Sequence, residues 1–187
     1  MYSLLKSDNI YGGLVINLCH TKELLKEEKE QVLTIFTLNS GENGVLRDGN
    51  ALDKSHGICY LTVPITKEIV GYTLYSLNDG GSFLEQYDNL WGEHDISKSI
   101  YINQVAMHPD YQNKGSAIVM YMRILQEYRD INYLYAHVAI GNKQSMKFHC
   151  RHRFVPIGEY ICPNFHGVIN YKSILLEYCK KSNLNNF

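Results

Sequence analysis

One segment reads Gln104-Val-Ala-Met-His-Pro-Asp-Tyr-Gln-Asn-Lys-Gly-Ser-Ala117. It begins inside a predicted strand over 99–107, which must stop before Pro109 because proline cannot donate to a sheet and restricts the residue before it. A turn over 111–116 follows and contains Gly115. Apolar side chains then recur at helical spacing, at Ala117, Tyr121, Ile124, Leu125 and Tyr128. The segment therefore predicts a strand, a turn and a helix in direct succession.

The turn has the features of a phosphate-binding site. Backbone N–H groups at the start of a helix lack partners within it, and the helix dipole makes that end positive. Gly115 permits a positive φ or the close approach of a ligand, and the small Ser116 and Ala117 leave the backbone amides accessible. Many strand–turn–helix junctions contain a glycine and bind nothing, so the spacing alone leaves both interpretations open. Neither a P-loop nor a dinucleotide-binding Gly-x-Gly-x-x-Gly motif is present.

Further strands and helices are predicted on both sides of this segment. Thr21 is the predicted N-cap of a helix that carries Leu25, Val32, Ile35 and Phe36 on one side, and Asn142 caps a second helix that runs to about residue 152. The predicted strands are 14–18, the hairpin 58–63 with 69–77, 133–139, 154–161 and 168–178. The order of these elements predicts a mixed α/β sandwich around one core, in a single domain, 1–187.

Composition excludes several classes of protein. The chain has 187 residues, 45% of them hydrophobic, and a formal net charge of -1. It has no apolar run of about 18 residues, so no membrane-spanning helix is predicted, and its N-terminus lacks the pattern of a signal peptide. A near-neutral chain also lacks the basic excess that supports nonspecific nucleic-acid binding. The five widely spaced cysteines predict small buried apolar residues in a reducing compartment, and hence a cytoplasmic protein.

Two motifs resemble one family. Gln112-x-x-Gly115-x-Ala117, which follows a strand ending Val105-Ala-Met-His-Pro109, resembles the acyl-CoA-binding motif Gln/Arg-x-x-Gly-x-Gly/Ala of the GNAT superfamily of N-acetyltransferases. Asn142-x-x-Ser145-x-x-Phe148-His149-x-x-x-x-Phe154 is similar to a downstream segment of that family. The resemblance covers about residues 99–160 and implies a GNAT-like α/β (α+β) fold that binds acetyl-CoA. Such a fold has a mixed, mostly antiparallel central sheet flanked by helices.

The resemblance also implies which residues contact coenzyme A. The pyrophosphate would lie on the turn formed by Gln112, Asn113, Lys114, Gly115, Ser116 and Ala117. The pantetheine arm would lie along Val105, Ala106 and Met107 like an additional strand, where two neighbouring strands splay apart. Asn142 and Ser145 would reach the cofactor from the following helix.

Gln104 departs from the family pattern. It occupies the position where many members have a glutamate base, and an amide cannot accept a proton at neutral pH. A base would then act through water or come from Glu93, His94 or Asp95, for which a solvated loop is the simpler interpretation.

His149 stands at the position of the family's usual tyrosine acid. An unperturbed pKa of about 6.5 makes proton transfer feasible, although a structural role is the alternative. Tyr160 and Tyr171 are further candidate acids, and Arg153 replaces the usual glycine before Phe154. His149 and His152 have the spacing of a metal pair, but no third ligand with suitable spacing appears, so no metal is predicted.

These features predict an acetyl-CoA-dependent N-acetyltransferase that acts on a small-molecule or peptide amine, with neither nucleic acid nor a membrane as partner. One alternative is a CoA-binding sensor or interaction module of the same fold, and another is a binder of a different phosphate compound. A homodimer through the terminal strands is compatible with either. The segment 79–97 is a candidate specificity loop, with Phe83, Tyr87 and Trp91 as its walls. The fifteen tyrosines predict an acceptor cleft lined by aromatic rings.

Overall fold

The computed structural model describes residues 9–40, 50–77, 95–165 and 168–180. The candidate substitutes Glu93 and His94 and most of the predicted specificity loop, with Phe83, Tyr87 and Trp91, lie outside these residues. In the described ranges the strands are β1 (Asn9–Tyr11), β2 (Leu14–His20), β3 (Gly57–Thr62), β4 (Ile69–Leu77), β5 (Ser99–Met107), β6 (Tyr133–Ala139), β7 (Val155–Phe165) and β8 (Val168–Cys179). The α-helices are α1 (Lys26–Asn39), α2 (Ala51–Lys54), α3 (Ser116–Glu127) and α4 (Lys143–Arg151).

The strands form a mixed sheet in the order β1-β2-β3-β4-β5-β6-β8-β7. Five neighbouring pairs are antiparallel, namely β1–β2, β2–β3, β3–β4, β6–β8 and β7–β8, whereas β5 and β6 are parallel. Parallel neighbours need a long crossover, which α3 provides. The predicted fold class, with a mixed and mostly antiparallel sheet, is confirmed.

The chain divides into two compact units, and β5 contributes to both. The first unit comprises Met1–Tyr75 and Asn103–Tyr128. Its hairpin register sets Tyr60 opposite Tyr72. These rings join a core with Val32 and Ile35 of α1, because side chains of paired residues share one face of a sheet. Helix α3 buries Met120, Tyr121 and Ile124 completely.

The second unit comprises Ser76–Ile102 and Arg129–Phe187. Its long closing strands β7 and β8 pair from Val155↔Glu177 to Phe165↔Val168. Leu134, Tyr135, Leu175 and Leu176 are buried in its core.

Two sequence-based expectations are wrong. Thr21 does not cap α1: it lies in a 3₁₀ turn, where its hydroxyl donates to the Ser55 carbonyl at 2.8 Å. The helix begins at Lys26, and the Glu28 carboxylate accepts the N–H of Leu25 at 2.9 Å. Leu25 therefore precedes the helix, and 64% of its surface is exposed.

The cysteines also differ in burial, whereas the sequence predicts small buried residues. Cys59 is buried, Cys19 and Cys179 are half-buried, and Cys150 is exposed. None of these four described residues is in a disulfide.

Candidate active site

The N-terminus of α3 has the backbone geometry of an uncapped helix start. Gly115 is its N-cap residue, with φ +77° in the left-handed region, and Asn113 also has a positive φ of 61°. Within the described residues no side chain caps this helix, and its first turn contains no acidic residue. Neither a capping nor an acidic side chain among the described residues therefore compensates the first N–H groups and the positive end of the helix dipole. Such a helix end suits a phosphate.

Positive charge lies beside this turn. Lys114 is exposed, and its Nζ atom lies 5.0 Å from the centroid of the Tyr111 ring, in the range of a cation–π interaction. The contact holds the ammonium group on the turn while leaving it in water.

Backbone N–H groups at the end of β5 point alternately toward β4 and away from it. The N–H of His108 donates to the Val70 carbonyl at 2.8 Å, and Val70 lies in β4. N–H groups alternate sides along a strand, so those of Val105 and Met107 face the opposite edge. The parallel register of β5 with β6 ends at Ile102↔Ala136, so Val105 and Met107 lie beyond its last pair.

The side chain of Gln112 turns back toward this strand. Its Nε2 atom donates to the Met107 carbonyl at 3.1 Å and to Oδ1 of Asn39 at 3.2 Å. The first residue of the predicted CoA turn is thereby tied to the end of β5. The sequence analysis did not anticipate Asn39.

Gln104 is buried, with 7% of its surface exposed. Its Oε1 atom accepts the hydroxyl hydrogen of Tyr72 at 3.1 Å. Burial raises the pKa of Tyr72, so this hydroxyl keeps its proton at neutral pH. The amide thus orients a protonated tyrosine that the sequence analysis did not single out.

The other predicted residues lie on α4 in the second unit. Asn142 caps α4, and its side-chain oxygen accepts the N–H of Ser145 at 3.0 Å, as predicted. The Nδ1 atom of His149 lies 2.9 Å from the Ser145 carbonyl and 3.3 Å from its hydroxyl. Because a carbonyl can only accept, Nδ1 carries a proton.

The ring of His149 is packed, with 2% of its surface exposed. Its centroid lies 5.0 Å from that of Phe148 and 4.9 Å from that of Phe154, both with edge-to-face geometry. Burial lowers the pKa of His149 to about 4, so the ring is neutral at pH 7. These contacts describe a core histidine, and its catalytic role stays a prediction.

A comparison with protein families decides the classification. The profile of the acetyltransferase (GNAT) family matches residues 22–154, well over half of the chain. The chain belongs to the GNAT acetyltransferase family. The match includes the α3 turn, the buried Gln104 and the whole of α4.

Solved structures of other GNAT acetyltransferases share the fold. Spermidine/spermine N-acetyltransferase SpeG from Vibrio cholerae has a TM-score of 0.61 at 14% identity, covering 94% of this chain and 98% of that one. NAA60 of Arabidopsis thaliana, solved with a bisubstrate analogue, has a TM-score of 0.65 at 13% identity, with 88% and 98% covered. Ribosomal-protein-S5-alanine acetyltransferase from Vibrio fischeri has a TM-score of 0.60 at 13% identity, with 92% and 96% covered. No curated protein matches this GNAT sequence. Likeness at these identities establishes the fold only.

Arg153 stands where the family usually has a glycine, and it adopts the backbone geometry that a glycine would supply. Arg153 has φ +67°, in the left-handed region that costs a residue with a side chain about 1–2 kcal/mol. Its N–H donates to the Cys150 carbonyl at 3.1 Å, and that of Phe154 to the His149 carbonyl at 3.1 Å. The helix of this GNAT acetyltransferase therefore ends in a tight turn despite the changed residue.

Of the alternative acids, Tyr160 and Tyr171 are half-buried. The ring centroid of Tyr160 lies 5.8 Å from that of His137, whose Nδ1 atom lies 3.1 Å from the Tyr101 hydroxyl. Burial lowers the pKa of His137 to about 4. The sequence analysis missed this Tyr101–His137 pair, which the parallel pairing of β5 and β6 brings together.

Asp95, the described member of the three candidate base substitutes, lies at the surface. Its carboxylate accepts the N–H of Ser97 at 3.2 Å and pairs with Lys98 at 3.1 Å. Its hydrogen bonds with Ser97 lower its pKa. This is the environment of a solvated loop.

The described residues contain neither a metal-ligand cluster nor a helix able to span a membrane. No three His, Cys, Asp or Glu side chains among them gather where they could hold a metal ion. None of the helices in the described ranges has the length and apolar character needed to cross a membrane.

Proposed function

We propose that this GNAT protein transfers the acetyl group of acetyl-CoA to a primary amine. The observation that carries the proposal is the start of α3, where Gly115 has φ +77° and no described side chain caps the helix. The pyrophosphate of coenzyme A would bind the backbone of Gln112, Asn113, Lys114, Gly115, Ser116 and Ala117.

The donor set of β5 fits the rest of the cofactor. Pantetheine contains amide groups, which need N–H donors and carbonyl acceptors in strand-like spacing. The N–H groups of Val105 and Met107 face an edge beyond the last β5–β6 pair, so they are the donors that we assign to it, with Ala106 between them. Following the family resemblance, we add Asn142 and Ser145 as further contacts of the cofactor.

When bound, acetyl-CoA supplies an acyl group activated as a thioester. The amine nitrogen forms a bond to the thioester carbonyl carbon, the carbon–sulfur bond breaks, and the sulfur leaves as thiolate. The amine loses one proton and the thiolate gains one. Strand N–H groups stabilise charge that develops on the carbonyl oxygen.

Gln104 cannot accept the amine proton, so we propose that the acceptor reacts as the neutral amine or passes its proton to water. Its amide instead orients Tyr72 at 3.1 Å. His149 keeps the proposed position of the acid, but with a pKa of about 4 it donates a proton only under acidic conditions.

The acceptor is proposed as a small-molecule or peptide amine. Among the solved structures with this fold, one acts on spermidine and spermine and another on the alanine of ribosomal protein S5, by their names. Both classes belong in the test panel.

The test measures thiol release from acetyl-CoA by the purified chain, with polyamines, aminoglycosides, amino acids and alanine-terminated peptides as acceptors. We expect CoA to raise the melting temperature and one amine class to give turnover. The proposal is refuted if acetyl-CoA neither binds the chain nor shifts its melting temperature.

Gln104 motivates a second candidate, a CoA-binding module without turnover. Measurable CoA affinity together with no product on any amine would favour this module. Gln104→Glu separates the two, because a general base contributes roughly 10²–10⁴-fold to rate. Activity that appears only in Q104E supports the module, whereas turnover by the unmodified chain excludes it.

A further inference from the structure

The last residue of α1 contacts the end of β5. Asn39 donates from Nδ2 to the Met107 carbonyl at 3.1 Å and to the Ile35 carbonyl of its own helix at 2.8 Å. Its Oδ1 atom accepts from Nε2 of Gln112 at 3.2 Å, and the same Nε2 donates to the Met107 carbonyl at 3.1 Å. Asn39 is 68 residues from Met107 and 73 from Gln112, so only the fold brings them together.

Counting donors fixes the orientation of both amides. A side-chain amide carries two N–H hydrogens and one acceptor oxygen. Asn39 directs its two hydrogens to two carbonyls, and Gln112 directs its two to Oδ1 of Asn39 and to Met107. Rotating the Asn39 amide by 180° would set its oxygen against two carbonyl oxygens. The position therefore requires two donors and one acceptor on one short side chain, which asparagine supplies.

The network holds the Met107 carbonyl, which lies on the proposed cofactor edge. The N–H and C=O of one strand residue point to the same side, so the Met107 carbonyl shares its edge with the Met107 N–H. The side chain of Met107 is held as well, because its Sδ and Cε atoms fill the space that a Cβ on Gly71 would need. With two donors on the carbonyl, the group that Met107 has left to present is its N–H.

We infer that Asn39 is a positioning residue of the acetyl-CoA site, which holds the Met107 carbonyl and the Gln112 side chain in one geometry. The inference rests on the proposed function, since it assigns Asn39 to the same cofactor. Asn39 acts through Met107 and Gln112 and does not itself contact the reacting atoms. It joins the strand edge that would bind pantetheine to the turn that would bind pyrophosphate.

Three variants test the inference. Asn39→Ala removes both donors and the acceptor. Asn39→Asp keeps the size and the acceptor but sets a carboxylate against two carbonyl oxygens. Ser40→Ala is the matched control, because the exposed Ser40 hydroxyl donates to the Phe36 carbonyl at 2.7 Å and so also belongs to the end of α1.

The readouts are the Kd for CoA, the KM for acetyl-CoA, kcat, the acceptor KM and the melting temperature of the unliganded protein. We expect N39A to raise the CoA Kd and the acetyl-CoA KM about tenfold, as for loss of one hydrogen bond, while kcat and the acceptor KM stay within about twofold. N39D should raise both constants further. S40A should change only the melting temperature.

Each outcome is decisive. Unchanged CoA and acetyl-CoA constants in N39A overturn the inference. A loss confined to kcat also overturns it, because Asn39 would then affect turnover and not cofactor binding. A loss confined to thermal stability overturns it as well, because Asn39 would then have a merely structural role. If N39A does not fold, the same comparison is made with the isosteric N39D, for which wild-type constants overturn the inference. A wild-type chain that fails to bind CoA refutes the proposed function instead.

Discussion

Replacing Gly115 by alanine separates backbone strain from ligand binding at the start of α3. At φ +77° a side chain costs about 1–2 kcal/mol, and alanine recovers part of this by restricting the unfolded chain. The added Cβ would meet only the Tyr11 hydroxyl oxygen, at 3.6 Å, which is ordinary contact. We therefore expect G115A to lose about 1 kcal/mol, or about 2–4 °C in melting temperature for a chain of this size.

The effect on CoA should be larger than the effect on stability. In the proposed site, a methyl group on Gly115 would stand where the phosphate approaches the first backbone N–H groups of the helix. Loss of one hydrogen bond to a charged group is worth about 1.5–3 kcal/mol, which is roughly a 10- to 150-fold rise in Kd. Isothermal titration with CoA measures this rise directly.

Gly13→Ala is the matched control. Gly13 has φ +81°, and an added Cβ has nothing within 4 Å, so G13A introduces the same backbone strain without a new side-chain contact. We expect equal losses of stability in both variants and a changed CoA Kd in G115A alone. If G115A binds CoA within about twofold of wild type while unfolding like G13A, the phosphate site is not at this turn.

Three further changes test the second unit. Asn142→Ala should lower the free energy of unfolding by about 1 kcal/mol in urea titration, whereas Asn142→Asp keeps the cap on the Ser145 N–H and should unfold like wild type; equal losses would refute the capping role. His149 has a pKa of about 4 when folded against 6.5 unfolded, so the unfolded chain binds more protons between these values and stability falls as pH drops from 6.5 to 4, by about 3 kcal/mol. The free energy of unfolding, measured by urea titration at several pH values in this range, should change less with pH in His149→Asn than in the wild type. An equal pH dependence in both would contradict the burial argument. Arg153→Gly should exceed Arg153→Ala in stability by about 1 kcal/mol, since both lose the side chain and only glycine relieves φ +67°; equal melting temperatures would argue against strain there.

Local signals predicted the strand–turn–helix segment well. Pro109 ends β5 at Met107, and Gly115 begins α3, because both constraints act within a few residues of the backbone. Thr21 is not the cap because α1 begins only at Lys26, and Thr21 lies in a 3₁₀ turn whose position is fixed by its hydrogen bond to the distant Ser55 carbonyl. A cap is a local preference that one tertiary hydrogen bond can override.

The contacts that shape the candidate site could not be predicted in the same way. The sequence shows Asn39 only as a polar residue at the end of a helix. Its partners Met107 and Gln112 are 68 and 73 residues away. Periodicity indicates which face of an element is buried, but it does not indicate which amide will meet which carbonyl. The family motif identified Gln112 without its partner, since a motif records positions along the chain and not the contacts around them.

Gln104 links the departure from the family pattern to an expected pH dependence. A glutamate could accept the Tyr72 hydroxyl as the amide does, but at 7% exposure it would carry the cost of burying a charge, which raises a carboxyl pKa. The amide keeps the hydrogen bond without that cost, and it gives up the ability to take a proton. The rate should then follow the neutral fraction of the acceptor amine and rise with pH until that amine is deprotonated. A weakly basic acceptor suits such a site, because more of it is neutral near pH 7 than of an alkylamine.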